Sequence, residues 1–249
     1  LRTSNPSTTA FMEIRSDEAR ANGKTPRRVQ QWVSYGRISP SLKRAVLVAE
    51  DAAFWQHEGV DYDELEESIK VDWARGQLVR GASTITQQLA KNLYLSPSRN
   101  PLRKVRELII ARRLEAELEK VRIFELYLNV IEWGDGIYGC EAASRAYFSA
   151  PSSSLTAVQS ALLAGAIVNP RVLSPAKPTR RLLSRQQLIL GRMGDVAPPV
   201  DVAPPVDVAP PAEAEPPVEV APPADAAPPE EVAPPVEAVP PEDPGPEPQ

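Results

Sequence analysis
The run GASTITQQLAKNLYL at 81–95 brings hydroxyls, a pair of amides and a lysine to the opening of one helix. The offset from Thr84 to Gln87 fits a capping box, which predicts a helix from about residue 84. Its apolar stripe is Ile85, Leu89 and Leu93, and Gln87, Gln88, Lys91 and Asn92 lie beside or opposite that stripe. A polar face at the positive start of a helix, with a cation one turn on, suits an anion. The plain alternative is that Ser, Thr and Gln here only cap the helix and that Lys91 is solvated.

Two flanking segments carry further chemistry. In VLVAEDAAFWQHEGVD at 46–61, the acidic pair Glu50-Asp51 follows an apolar run. Ser39-Pro40 reads as an N-cap and first helical position, and Leu42, Val46, Ala49 and Ala53 recur at helical spacing. Glu50 lies next to that stripe, and desolvation of a carboxylate raises its pKa and makes it a better base. The competing reading is a partly buried Glu paired with a basic side chain. In RKVRELIIARRLEAELEK at 103–120, Leu108, Ala111, Leu114 and Leu118 share a face while Arg103, Lys104 and Arg106 crowd the first turn. Cations at a helix start oppose the dipole unless an anion offsets them, either Glu107 or a bound phosphate. For such a cluster alone, a solvated face is the simpler explanation.

Taken together the segments resemble the peptidoglycan glycosyltransferases of glycosyltransferase family 51, in particular the monofunctional biosynthetic members. The matching residues are Glu50-Asp51 with Phe54, His57 and Gly59; Gly81 with Ser83-Thr84-Ile85-Thr86-Gln87-Gln88-Leu89 and Lys91-Asn92-Leu93; and Arg103-Lys104 with Glu107. Two more blocks follow in the family's order, RIFELYLNVIEWGDGIYGCEAASRAYF at 122–148 and LTAVQSALLAGAIVNPRVLSP at 155–175. NPSTTAFM at 5–12 and the approach to Ser39-Pro40 from Trp32-Val33 also look like the monofunctional members.

The resemblance implies joining of lipid II, a lipid-linked disaccharide-peptide, into β-1,4 glycan strands with inversion and release of undecaprenyl pyrophosphate. It makes Glu50 the base toward the acceptor 4-hydroxyl. A pyrophosphate leaves as an anion and needs fixed positive charge rather than an acid; Lys91, Arg99, Arg103, Lys104 and Arg106 are the candidates. Glu107, the family's second glutamate, orients those cations or holds a divalent cation, Mg²⁺ or Mn²⁺. Ser83, Thr84, Gln87 and Gln88 are expected on sugar or phosphate oxygens. No organic cofactor is implied.

Other residues read as structural. His57, the only histidine, is expected to pack or hydrogen bond, and Asp51 to serve as an ion-pair or cap partner. Tyr127, Trp133, Tyr138 and Tyr147 could stack on sugars, but their setting favours a core. Gly134, Gly136 and Gly139 shape a turn before a helix resuming near Glu141. Cys140 is single, so no disulfide forms within the chain.

Composition divides the chain into 1–194, which the resemblance makes a glycosyltransferase domain, and 195–249, a tail repeating APPVDV-like hexapeptides. The tail holds 19 of the 28 prolines and 13 of the 33 acidic residues and no Lys or Arg. Such a sequence is disordered or extended polyproline II; at about 3.1 Å per residue it reaches roughly 170 Å. Residues 1–194 keep all 28 basic residues against 20 acidic ones, a net charge of +8. That charge suits a lipid pyrophosphate and an anionic membrane surface. It also suits weak competition from the acidic tail. Nucleic acid is not expected, since zinc spacing, RNA-binding aromatics and a recognition helix are all lacking.

Helical patterns fall at 40–57, 63–78, 84–95, 103–119, 121–131, 139–147 and 155–167, with few strand signals. The expected fold is mainly α, lysozyme-like by resemblance, with a small membrane-facing jaw between the first and third motifs. No apolar run is long enough to span a bilayer. The chain starts at Leu1, and the resemblance implies a single-pass inner-membrane anchor ahead of it, with the catalytic domain on the periplasmic side. Two other classes compete: a lysozyme-like glycan-cleaving enzyme, which needs an acid but no pyrophosphate clamp, and a non-catalytic scaffold recruiting wall-synthesis or division proteins through the tail. No S-x-x-K with K-T-G is present, so crosslinking is not expected.

Overall fold
The computed structural model describes residues 1–62, 66, 83–96 and 101–194. The chain divides into two units, Leu1–Asp207 and Val208–Gln249. The expected helix at 63–78, most of the expected jaw, Arg99 and the tail from 195 onward lie outside the described residues.

The described part of the first unit is mainly helical. Its helices are α1 (Ala10–Ala21), α2 (Pro40–Glu50), α3 (Ile85–Tyr94), α4 (Pro101–Glu117), α5 (Lys120–Val130), α6 (Cys140–Phe148), α7 (Ala157–Ala166) and α8 (Arg180–Arg192). A small sheet of β1 (Val29–Gln30), β2 (Glu132–Gly134) and β3 (Ile137–Tyr138) has the order β1-β3-β2, with β1 parallel and β2 antiparallel to β3. Gly136 turns the β2–β3 hairpin at φ 68°, and a Cβ there would stand 2.6 Å from the Arg27 carbonyl oxygen. Both facts demand glycine.

α3 sits at the centre, packed against α1, α4 and α5, while α2 packs against α7 and α8. Leu42, Ala45, Val46 and Leu47 give α2 its buried face. Full burial of a leucine or valine is worth about 1.5–3 kcal/mol, so this face holds the helix firmly. Phe54, Phe124, Tyr127, Trp133 and Tyr138 are among the largest fully buried side chains, which assigns the aromatics of the fourth block to the core; Tyr147 is only partly buried.

Buried Asn129 ties the segment before α2 to α5. Its Oδ1 accepts the Val33 N–H at 2.9 Å, and its Nδ2 donates to the Val33 and Glu125 carbonyls. A second tie joins the start of α2 to the α6–α7 connection, where the Ser39 N–H donates to the Ser152 carbonyl and the Ser39 hydroxyl to the Leu155 carbonyl.

Three expectations are corrected. α2 ends at Glu50 and not near 57, because Asp51 leaves helical geometry at φ −170°, ψ 82° and a turn follows. α1 and α8 were not expected. The polar face read on α3 is mostly buried, since seven of its ten residues are buried, Gln87 and Asn92 among them, while Tyr94 is exposed.

A carboxylate facing a cation cluster
Glu50 closes α2, and its neighbour Asp51 reaches the start of α3. Asp51 Oδ2 accepts the Ile85 backbone N–H at 2.9 Å, and the carboxylate also meets His57 Nε2 at 3.0 Å. The anion expected at this helix start is therefore supplied in part by the protein itself; Asp51 is a cap partner and His57 a hydrogen-bonding residue, as expected. The Thr84 hydroxyl accepts the Gln87 N–H at 3.2 Å, so half of the expected capping box forms. The other half does not, because Gln87 Oε1, which would accept the Thr84 N–H, accepts Lys104 Nζ at 2.8 Å instead; its Nε2 donates to the Gly59 carbonyl, which Thr84 Oγ1 also reaches at 2.7 Å. Gly59 has φ +83°, and a Cβ there would touch Glu115 Cγ at 3.0 Å. Glycine alone lets this carbonyl meet both donors.

Gln88 links Glu50 to the core. Its Nε2 donates to Glu50 Oε2 at 2.9 Å, and its Oε1 accepts the Tyr127 hydroxyl at 3.0 Å. Among the described residues, Glu50 Oε1 accepts no hydrogen bond. Burial pushes the Glu50 carboxyl above the usual carboxylate range, opposed by the Gln88 hydrogen bond and the charges of Arg185 and Lys91. Lys91 is pulled below the usual lysine range by burial; Glu107 and Glu50 work against this, Arg103 and Lys104 with it. Lys91 therefore feels both glutamates.

The second cluster centres on Glu107, buried in α4. Its Oε1 accepts from Lys104 Nζ at 2.6 Å and its Oε2 from Arg103 at 2.8 Å. Lys104 also donates to Ser83 Oγ at 3.0 Å and Gln87 Oε1 at 2.8 Å, which ties α4 to the mouth of α3. The structure thus joins Ser83, Gln87, Arg103, Lys104 and Glu107, and connects Glu50 with Gln88. Thr84 and Gln87 are almost fully buried, and their contacts hold the mouth together. Arg106 is exposed and forms no hydrogen bond or ion pair with this cluster.

Glu107 does not fit a metal ligand, since both its oxygens already accept from cations. Asp51, His57 and Asp61 hold ligand atoms within 4.8 Å of one another, but the Asp51 oxygens are committed to His57 and Ile85. A cavity of about 240 Å³ is lined in part by Gln88, Lys91, Tyr127 and Glu132, the first of which hydrogen bonds Glu50. A larger hollow of about 680 Å³, lined by Leu1, Tyr94 and Ile110 among others, contains none of the candidate residues.

Sequence reasoning missed two members of this site. Arg185 from α8 acts on the Glu50 charge although 135 positions separate them in the chain. Tyr127 was assigned to packing, and only its hydroxyl reveals its second task. The apolar spacing around Tyr127 gave no sign of this, although a buried phenol usually finds a hydrogen-bond partner.

A family profile described as Transglycosylase matches residues 18–194. A biosynthetic peptidoglycan transglycosylase of Laribacter hongkongensis is 47% identical over 195 residues, which is 78% of this chain and 86% of the relative. Proteins of the same name from Methylobacillus flagellatus and Nitrosospira multiformis are 47% and 43% identical over 189 and 195 residues. These alignments cover 76% and 78% of this chain and 82% and 85% of the relatives.

Proposed function
Because this chain belongs to the transglycosylase family, we propose a division of labour within its site, with Glu50 as the base and a cation cluster as the pyrophosphate clamp. The chain is a peptidoglycan glycosyltransferase of bacterial cell wall synthesis, an inverting enzyme whose substrates are lipid II and the growing glycan strand. Its catalytic domain works on the periplasmic side.

The observation that carries the reading is the unequal treatment of the two Glu50 oxygens. Oε2 is held by Gln88 and Oε1 is left to accept a proton. The acceptor 4-hydroxyl gives its proton to Oε1 as its oxygen attacks the anomeric carbon. The bond from that carbon to the pyrophosphate oxygen breaks, and the leaving group carries the electron pair away as an anion. Lys91, Arg103 and Lys104 stabilise that charge from positions fixed before the reaction, which avoids reorganisation at the transition state. Arg99 joins them by resemblance. Glu107 keeps Arg103 and Lys104 from repelling each other, and Ser83 shares Lys104. Any divalent cation is assigned to the substrate pyrophosphate.

Membrane attachment is part of the proposal. No helix among the described residues is long and apolar enough to cross a bilayer. The +8 charge of residues 1–194 and the lipid character of the substrate favour work at an anionic membrane surface, held by a single inner-membrane anchor. The proline-rich tail is assigned to partners in wall synthesis or division.

The decisive experiment gives labelled lipid II to the purified chain in detergent with Mg²⁺ and resolves the products by gel beside Glu50→Gln. A glycan ladder that the substitution reduces by about a hundredfold or more supports the base. A loss under about threefold refutes it.

A further inference from the structure
Three helices meet at one amide. Tyr127 comes from the interior of α5, Gln88 from the second turn of α3 and Glu50 from the end of α2. We propose that Gln88, fixed in one amide orientation by Tyr127, is the positioning residue of the base. It holds Glu50 Oε2 and thereby reserves Oε1 for the proton. This rests on the assignment of Glu50 as base.

The geometry leaves the Gln88 amide no freedom. Its Nε2 spends two hydrogens on two acceptors, Glu50 Oε2 at 2.9 Å and the Ser83 carbonyl at 3.3 Å. Its Oε1 receives the Tyr127 hydroxyl at 3.0 Å. A flipped amide would set Oε1 against both a carboxylate and a carbonyl, which no donor relieves. Tyr127 cannot drift, since its ring is fully buried. Burial and the charges of Glu50 and Asp51 hold its phenol well above the ordinary value, so the hydroxyl keeps its proton and stays a donor.

The same contact sets basicity. The Gln88 hydrogen bond is the largest influence opposing burial at Glu50. Without it the carboxyl rises further, and the base remains protonated to higher pH. In this reading Gln88 serves the base rather than the sugar. It decides both where the carboxylate points and when it is ionised.

The test is the pH dependence of kcat/KM on lipid II for the parent, Gln88→Ala, Tyr127→Phe, the double variant and Glu50→Gln. Gln88→Ala should move the acid limb up by about one pH unit, the size of a hydrogen bond to a charged group. Its kcat should fall by up to about tenfold on the acid limb and recover as pH rises, with KM within about twofold. Tyr127→Phe should shift the limb the same way by about half as much. The double variant should be no worse than Gln88→Ala, because Tyr127 acts through Gln88. An acid limb unchanged in Gln88→Ala, a loss confined to KM, or additive losses in the double variant would each overturn the proposal. If Tyr127→Phe loses its cooperative thermal transition, Gln88→Ala decides alone, being partly exposed on α3. Full activity in Glu50→Gln overturns the base assignment instead. A dead Glu50→Gln beside an unshifted Gln88→Ala limb overturns only the role of Gln88.

Discussion

The Asp51 carboxylate accepts the backbone N–H of Ile85 at 2.9 Å, across 34 positions of sequence. The residue that follows the base thus shares with Thr84 the capping of the helix that carries Gln88 and Lys91. Loss of Asp51 should disorder the site through its frame. Asp51→Ala strands a helix N–H and the His57 ring, and it should cost about 2–4 kcal/mol. Urea unfolding of the purified chain measures this, and a change below about 0.5 kcal/mol would mean that the cap is dispensable.

Two shifted groups predict a narrow working range. Glu50 must be ionised to act, so activity should rise as pH passes a carboxyl value above the usual range. Lys91 must be charged, so activity should fall as pH passes an ammonium value below the usual lysine range. The outcome is a bell-shaped profile of kcat/KM. Lys91→Arg keeps its charge and should carry the alkaline limb upward; a limb that stays in place assigns it to another group.

Stability should move opposite to activity at Glu50. Its folded-state pKa lies above that of the unfolded chain, so the folded state favours the proton. That contribution is present at low pH and is lost as pH rises through the folded value. Glu50→Gln removes the cost of ionisation, and at neutral pH it should be as stable as the parent or up to about 1 kcal/mol more so. Calorimetry reads this directly. A clear drop in the melting temperature would show that the carboxylate stabilises its surroundings.

Glu107 offers a sharper test of the metal question. Both its oxygens are taken by Arg103 and Lys104. Glu107→Gln should therefore weaken substrate use, raising KM by about tenfold as the two cations lose their common anion. The Mg²⁺ concentration that gives half-maximal rate should stay within about twofold. A large rise in the metal requirement would make Glu107 a ligand.

The acidic tail can be tested separately. Removal of residues 195–249 changes the net charge from −5 to +8. If the tail competes with anionic substrate, its removal raises the rate at low salt and the difference disappears at about 0.5 M salt. Equal rates at low salt would end that idea.

Much of this site was legible because its chemistry is local. Thr84 marked the start of α3, Ser39-Pro40 the start of α2, and the apolar stripe beside Glu50 foretold its desolvation. The end of α2 was misread, since helical spacing continues through Ala53 without a Gly or Pro, and it is the tertiary commitment of Asp51 that turns the chain. α1 was missed because Met12 is its only buried residue, and α8 because its buried positions, Leu182, Gln186 and Ile189, are set among arginines. Strands of two or three residues carry no alternation to detect. Arg185 beside Glu50 and Tyr127 behind Gln88 are meetings of distant segments, which single-chain periodicity does not encode.

The ties from Val33 to Asn129 and from Ser39 to Ser152 also fix an order of events in the making of the protein. A chain grown only to residue 120 contains Glu50, the helix mouth and the Glu107 cluster, yet it lacks Tyr127, Asn129 and Arg185. Loops of about a hundred residues must close before α2 is seated, and closure of such long loops is slow relative to helix formation. Competence to polymerise is therefore acquired late, after α8 has been added, and a chain that stops short of Arg185 is born without the full surroundings of its base.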